Sequence, residues 1–199
     1  MPRSTREKSA ETRLKIIETA YQLFIERGYS ATSMRDISQE TGVTVGAIYN
    51  HFQDKEQIWK EVLLKKHPYR EVLFLLKTVQ GETWADVVRM SARLLIQELL
   101  KRPDLLNLMF IELVEFKAQH IPDLVEVILP QLAELQGVFQ NKQGKLRDFP
   151  PPMLLRSFAG LFFSYYITGI LMKNFEGVTI DEASLDQFVD LYLYGILDE

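Results

Sequence analysis

Apolar residues recur at intervals of three and four along almost the whole of this 199-residue chain, and that period belongs to the α-helix. Ile17, Ala20, Tyr21 and Phe24 stand at i, i+3, i+4 and i+7, the spacing of one buried helical stripe. Where the period breaks, Gly, Pro and short capping side chains intervene, and strand-like alternation with hairpin turns is scarce. The expected fold class is all-α.

The same punctuation sets out the helices. The first is predicted from Ser9 to Arg27, ended by Gly28 as its C′ residue. Thr32 or Ser33 caps a second, with Ser33 and Asp36 as an S-x-x-D variant of the capping box; Met34 and Ile37 share its apolar face, and Gly42 ends it. Thr44 caps a short third helix, on which Ile48 and Phe52 face the same way. Asp54, with Gln57 three residues on, starts a fourth that turns Ile58, Trp59 and Val62 inward. Pro68 marks a boundary. Two domains are therefore expected: residues 1–66, a compact four-helix unit, and residues 67–199, built of longer helices with broad apolar faces. Those are predicted at Tyr69–Gln80, Trp84–Lys101, Leu105–His120, Leu124–Lys142, Pro151–Asn174 and Glu182–Leu197, with Asn141–Phe149 as an exposed loop.

Composition narrows the function. At 47% hydrophobic and 25% charged, the chain readily supplies a soluble core. It has no cysteine, which removes disulfides, thiolate nucleophiles and cysteine metal sites, and suits the cytoplasm, the expected location. The polar N-terminus lacks the apolar run of a secretory signal. Ser157–Met172 carries no charge, yet its 16 residues fall short of the roughly 20 a spanning helix needs. It reads as a helix buried in protein, and no membrane is expected. The net charge is −4, but residues 1–66 hold 11 Lys and Arg against 9 Asp and Glu, and the remainder 12 against 18. The N-terminal third is thus mildly basic, an asymmetry that is by itself weak evidence for a nucleic-acid partner. No G-x-S-x-G, P-loop, H-E-x-x-H or G-x-G-x-x-G occurs, and the three histidines lack metal-ligand spacing. Neither catalysis nor a cofactor nor a metal is expected.

The segment "TGVTVGAIYNHF", Thr41–Phe52, holds poor helix formers where a short helix should begin. A helix ended by Gly, a tight turn and a short second helix make a helix-turn-helix, whose second helix enters the DNA major groove. That use explains the composition. Thr44 can bond a base or phosphate, Val45 can touch a thymine methyl, and Gly46 lets the backbone approach closely. Tyr49, Asn50 and His51 suit phosphate oxygens, Asn50 also base edges. Lys55 adds positive charge to a helix N-terminus that favours anions, and Ser33 and Arg35 do the same at the second helix. Arg3, Arg6 and Lys8 either reach phosphate or the minor groove, or form a solvated tail. Ordinary packing of a helical hairpin is the alternative; the absence of large core residues at the leading end argues against it.

"TSMRDISQETGVTVGAIYNHFQDKEQI", Thr32–Ile58, resembles the DNA-binding signature of TetR-family (tetracycline-repressor-like) transcriptional regulators. The preceding "IIETAYQLFIERGYSATS" is similar to that family's first helix and its entry into the second. The resemblance covers about residues 10–62; Ser38 departs from the usual alanine, and Gln53 stands at a variable position. It implies that Thr32, Ser33, Thr44, Val45, Tyr49, His51 and Lys55 touch DNA. It implies also that the C-terminal helices form a dimer interface and enclose a small-molecule pocket. The expected function is a homodimeric regulator, a repressor, bound to double-stranded operator DNA and modulated by a small apolar effector. A constitutive DNA binder and a protein-interaction module without an effector remain open.

Within the larger half, Met109, Phe110, Leu113 and Phe116, with Phe162 and Tyr166, are the candidate pocket lining, although such residues also make ordinary cores. Glu112, Glu115 and Gln119 share a face with Leu108 and read as a solvated strip; Arg89 and Arg93 read as solvent-facing. His120 is either a ligand contact or a helix cap. Ser157, Gly160, Ser164 and Thr168 form a stripe of small residues opposite Phe158, Phe162 and Tyr166. With Leu185, Phe188, Val189 and Tyr192 of the last helix they would make a self-complementary contact between two copies, unless both faces are buried within one chain.

Overall fold

The computed structural model describes residues 5–176 and 181–198; Arg3, and residues 177–180 of the Glu176–Glu182 link, lie outside the described residues. In chain order the helices are α1 (Thr5–Arg27), α2 (Met34–Thr41), α3 (Val45–Tyr49), α4 (Lys55–Lys66), α5 (Tyr69–Leu76), α6 (Trp84–Leu100), α7 (Asp104–Phe116), α8 (Ile121–Leu132), α9 (Pro151–Leu171) and α10 (Glu182–Ile196). Two two-residue strands, β1 (Lys145–Leu146) and β2 (Leu197–Asp198), complete the described elements. The all-α expectation holds. The chain divides into two compact units, Met1–Pro68 with Pro103–Ile128, and Tyr69–Arg102 with Leu129–Glu199.

In the first unit, α1 begins four residues earlier than its capping pattern indicated, so Arg6 and Lys8 stand on a helix. Its inward stripe, Ile16, Ile17, Ala20, Leu23 and Phe24, packs with Ile37, Ile48 and Phe52, and with Ile58, Trp59, Val62 and Leu63 of α4. Gly28, at φ +88°, adopts the left-handed conformation that closes α1, and its N–H donates to the Phe24 carbonyl at 3.0 Å. Leu108 and Phe116 of α7 join the same core. Sequence periodicity had grouped these two residues with the C-terminal helices, because an apolar stripe shows that a helix is covered but not by which neighbour.

Glu112 corrects the reading of a solvated strip. Its side chain is 1% exposed. It accepts hydrogen bonds from Trp59 Nε1 at 2.7 Å and from the His120 backbone N–H at 2.8 Å, and it lies 3.0 Å from His120 Nδ1. Lys117 and Ala118, both left-handed with φ of 52° and 64°, reverse the chain after α7 and fold buried His120 back over this carboxyl group. His120 is therefore part of the interior. Glu115, on the outer side of the helix, stays exposed and accepts from Ser30 Oγ at 2.7 Å.

The second unit packs α6, α9 and α10 around Ala92, Ile96, Phe162, Tyr165, Leu185, Val189 and Leu193. Thr83 and Asp86 close a reciprocal capping box at the start of α6. Arg89 and Arg93 do more than face solvent: they pair with Asp190 at 2.5 Å and Asp186 at 2.7 Å, one helical turn apart on α10. Buried Glu98 accepts from Lys101 and Arg102, and the hydrogen bonds from these two residues hold its pKa below the ordinary carboxylate range despite burial. Arg102 also reaches Glu71 of α5 at 3.1 Å.

The long helix expected at Leu124–Lys142 is shorter, with Pro130 in its last turn and a tight 3-10 segment, Ala133–Phe139, after it. The loop that follows is tied down: Lys142 Nζ donates to the Gly81 carbonyl at 2.7 Å, and Gln143 exchanges backbone bonds with Glu82 and Trp84. Next, β1 pairs antiparallel with β2, Leu146 opposite Leu197, a pairing that two residues per strand cannot announce in sequence. Residues 152–171 of α9 form a helix long and apolar enough to cross a membrane by length and composition, yet only 22% of the apolar window is buried. The alternative in which both faces of this helix are buried within one chain does not hold: Met153, Leu155, Phe163, Ile170 and Leu171 are exposed.

Replacing Glu112 by alanine leaves the Trp59 and His120 donors buried without an acceptor. Such a loss costs about 3 kcal/mol, whereas Glu115→Ala on the outer face costs less than about 1 kcal/mol. Urea denaturation followed by circular dichroism measures both.

Candidate nucleic-acid interface

Five residues make α3, too few for a helix to persist alone. Its neighbours hold it. At the end of α2, Gly42 turns left-handed at φ +68°. Buried Thr41 completes that turn: its hydroxyl donates to the Ile37 carbonyl at 2.6 Å and accepts from the Val43 N–H at 3.2 Å. Sequence reading missed Thr41, although a Thr before a helix-ending Gly is a legible signal for such a side-chain cap. Thr44 then caps α3 as expected, accepting from the Ala47 N–H at 3.2 Å. Ile48 and Phe52 are buried at 0% and 1%, which fixes the rotation of the helix about its axis. Arg13, also missed, lays its guanidinium 4.3 Å from the Phe52 ring centroid and pairs with Glu61 of α4 at 2.9 Å. It pins the residue where the chain leaves α3.

That anchoring decides what faces outward. Thr44, Gly46, Tyr49 and Asn50 are exposed, Val45 and His51 half-buried. A Cβ built at Gly46 meets nothing within 4 Å, so the surface there is open. At the start of α2, Ser33 and Arg35 are exposed. Ser33 caps α2 reciprocally with Asp36, whose pKa is lowered by the hydrogen bonds it accepts from the Ser33 side chain and backbone. Asp54 caps α4 by accepting from the Gln57 N–H at 2.7 Å, but Gln57 returns its side chain to the N–H of Gln53, one residue short of a reciprocal box.

Two candidates point inward. Thr32 is 1% exposed, and its hydroxyl donates to the carbonyls of Gly28 at 2.9 Å and Leu23 at 3.3 Å. Lys55 Nζ donates to the carbonyls of Tyr29 at 2.8 Å and Thr32 at 2.7 Å. Burial pushes the neighbouring Tyr29 hydroxyl up to about 12, with Glu56, Asp54 and Glu115 adding to the shift.

The candidate pocket residues fall in different units. In the first, Phe116 belongs to the core, stacked 5.6 Å from Trp59, and Met109 packs against that core; Phe110 and Leu113 are exposed. In the second, Phe162 and Tyr166 are buried, and burial raises the Tyr166 pKa. Of the candidate interface residues, Ser157, Gly160 and Ser164 line the outer side of α9, with Thr168 half-buried. Leu185 and Val189 fill the core of the second unit, and Phe188 and Tyr192 pack against it. Among the described residues, the large apolar ones that α10 leaves exposed are Leu191 and Tyr194.

Residues 16–62, from α1 into α4, match the family model described as bacterial regulatory proteins, tetR family. The HTH-type transcriptional regulator TtgR of Pseudomonas putida is 36% identical over 97 residues, 49% of this chain and 45% of its own length. The chain thus spans less than half of that relative. The HTH-type transcriptional regulator YvkB of Bacillus subtilis is 24% identical over 187 residues, covering 93% of this chain and 97% of its own. Among solved structures, a protein from Saccharomonospora viridis in complex with choline aligns with TM-score 0.66 at 22% identity, over 96% of this chain and all of its own, a likeness of fold. The matched residues are those that build and anchor the helix-turn-helix, so the segment 16–62 is similar to the tetR family of bacterial regulatory proteins.

Proposed function

We propose that this chain is a sequence-specific DNA-binding transcriptional regulator that works as a homodimer, a repressor released from its operator by a small apolar effector. One observation carries the reading. The leading end of α3 is uncovered, with open space at Gly46, while Ile48 and Phe52 hold the helix rigidly from behind. A helix so placed can enter a major groove with Thr44, Val45, Gly46 and Asn50 toward base edges. Tyr49, His51, Ser33 and Arg35 then meet phosphates on either side.

Dimerisation is supported by the uncovered face of α9 and α10. Ser157, Gly160 and Ser164 let a second helix approach closely, and Phe163, Leu191 and Tyr194 supply apolar area around them. Two recognition helices related by a twofold axis read half-sites about 34–36 Å apart, so the operator is expected to be roughly palindromic. An effector that favours another spacing of the two heads shifts the population off DNA. A regulator of this kind acts in the cytoplasm, where the chromosome is.

Selection of bound duplexes from a random pool at fixed, near-physiological salt tests the proposal: an enriched palindrome is expected, and salt-sensitive binding without enrichment overturns it. Gly46→Ala separates folding from recognition. With nothing near the added methyl, the variant is expected to gain up to about 1 kcal/mol of stability and to lose about tenfold or more in affinity for the selected duplex. Gly160→Arg is expected to fold, since nothing lies within 4 Å of its Cβ, and to sediment as a monomer that binds the duplex weakly.

A further inference from the structure

Arg6 and Lys8, two cations that could belong either to a solvated tail or to a DNA contact, stand on α1, and the helix sends them to different sides. Residues 6–11 are exposed, ahead of the stretch of α1 that meets the core. Neither cation is engaged by an ion pair among the described residues, so position alone distinguishes them. Arg6 precedes Arg13 by seven residues, which places it on the same line of the helix, two turns and about 10.5 Å nearer its start. Arg13 lies against the Phe52 ring, 4.3 Å from its centroid. Ile17, next along that line, packs in the core with Ile48 and Phe52. The line that carries Arg6 is therefore the one turned toward the end of α3, where His51 and Phe52 follow the helix. Ser9 and Ala10 flank it there, one turn from Arg6, and neither is bulky or acidic. Lys8 stands about 200° further round the helix, on a line with exposed Lys15 and beside exposed Glu11.

We infer that Arg6 is a phosphate contact that extends the DNA interface beyond the helix-turn-helix, while Lys8, on the same exposed turns, faces solvent. The inference rests on the proposed function. With Tyr49 and His51 against the backbone of one strand, the uncovered start of α1 overhangs the continuation of that strand, which offers a phosphate every ~3.4 Å of duplex axis. A guanidinium there meets the phosphate oxygens with a fork of N–H donors. Ser9 and Ala10 leave room for the sugar-phosphate chain to come close. Such a contact carries no base information and adds grip and register.

Arg6→Gln, Arg6→Lys and Lys8→Gln, each in the full chain, are measured on a mixed-sequence duplex across a salt series. Both positions are exposed, and unchanged urea midpoints are expected. In Arg6→Gln the slope of log K against log salt is expected to become shallower by about 0.9 for each copy of the chain bound. Lys8→Gln removes the same charge two residues away and is expected to keep the wild-type slope. Arg6→Lys, which keeps the charge, is expected to keep it as well. Equal shifts in Arg6→Gln and Lys8→Gln would mean a diffuse charge effect and overturn the inference. A shift in Lys8→Gln alone, no shift in either, or an Arg6→Lys slope as shallow as that of Arg6→Gln also overturns it. In each of those cases the wild-type chain still binds and the regulator reading stands. A wild-type chain that binds no duplex at any salt concentration sinks that reading, and the Arg6 contact with it.

Discussion

The first unit is organised around one buried carboxyl group. Glu112 gathers the indole N–H of Trp59, the backbone N–H of His120 and the ring of His120. By doing so it fixes α7 against α4 and closes the turn after α7. Apolar packing on both sides is non-directional and would tolerate α7 sliding or rotating. A hydrogen-bonded carboxyl group in a dry interior tolerates neither, because displacement strands donors that water cannot reach. The aromatic cluster of Phe24, Tyr29, Trp59 and Phe116 takes its register from this bond, and Lys55 closes over Tyr29 from the far side.

From that fixed interior α3 inherits its precision. α3 contributes little to its own stability, since one turn of helix cannot offset the entropy of forming it. It is ordered by Thr41 and Thr44 at its entry, Ile48 and Phe52 beneath it, and Arg13 at its exit. The outward residues after Thr44 are thereby released from structural duty. Gly46 can remain a glycine in mid-helix because the helix does not depend on propensity.

Much of this was legible in sequence. Gly28, Gly42, Ser33, Thr44 and Asp54 act locally, within a turn of where they stand, and the backbone follows them in the places expected. The outward face of α3 was legible for the same reason. What escaped was long-range. Glu112 shares its helical face with Leu108, and periodicity cannot say whether an acidic residue on an apolar face finds a donor 53 positions earlier. Lys55 looked like a free charge because its partners are backbone carbonyls, which every sequence possesses and none advertises. The pairing of Arg89 and Arg93 with α10 was hidden likewise, by a separation of about a hundred residues.

The chain contains two tryptophans, and the fold gives one to each unit. Trp59 is wholly buried, hydrogen-bonded through its indole N–H and stacked on Phe116. Trp84 is half-exposed at the start of α6, 6.2 Å from the Phe139 ring. The protein thus carries two intrinsic fluorophores of opposite character, one shielded from collisional quenchers and one within their reach. Emission from the shielded indole reports on the unit that holds the helix-turn-helix and emission from the accessible one on the other, so events in the two halves of the molecule can be followed separately by light, without a label.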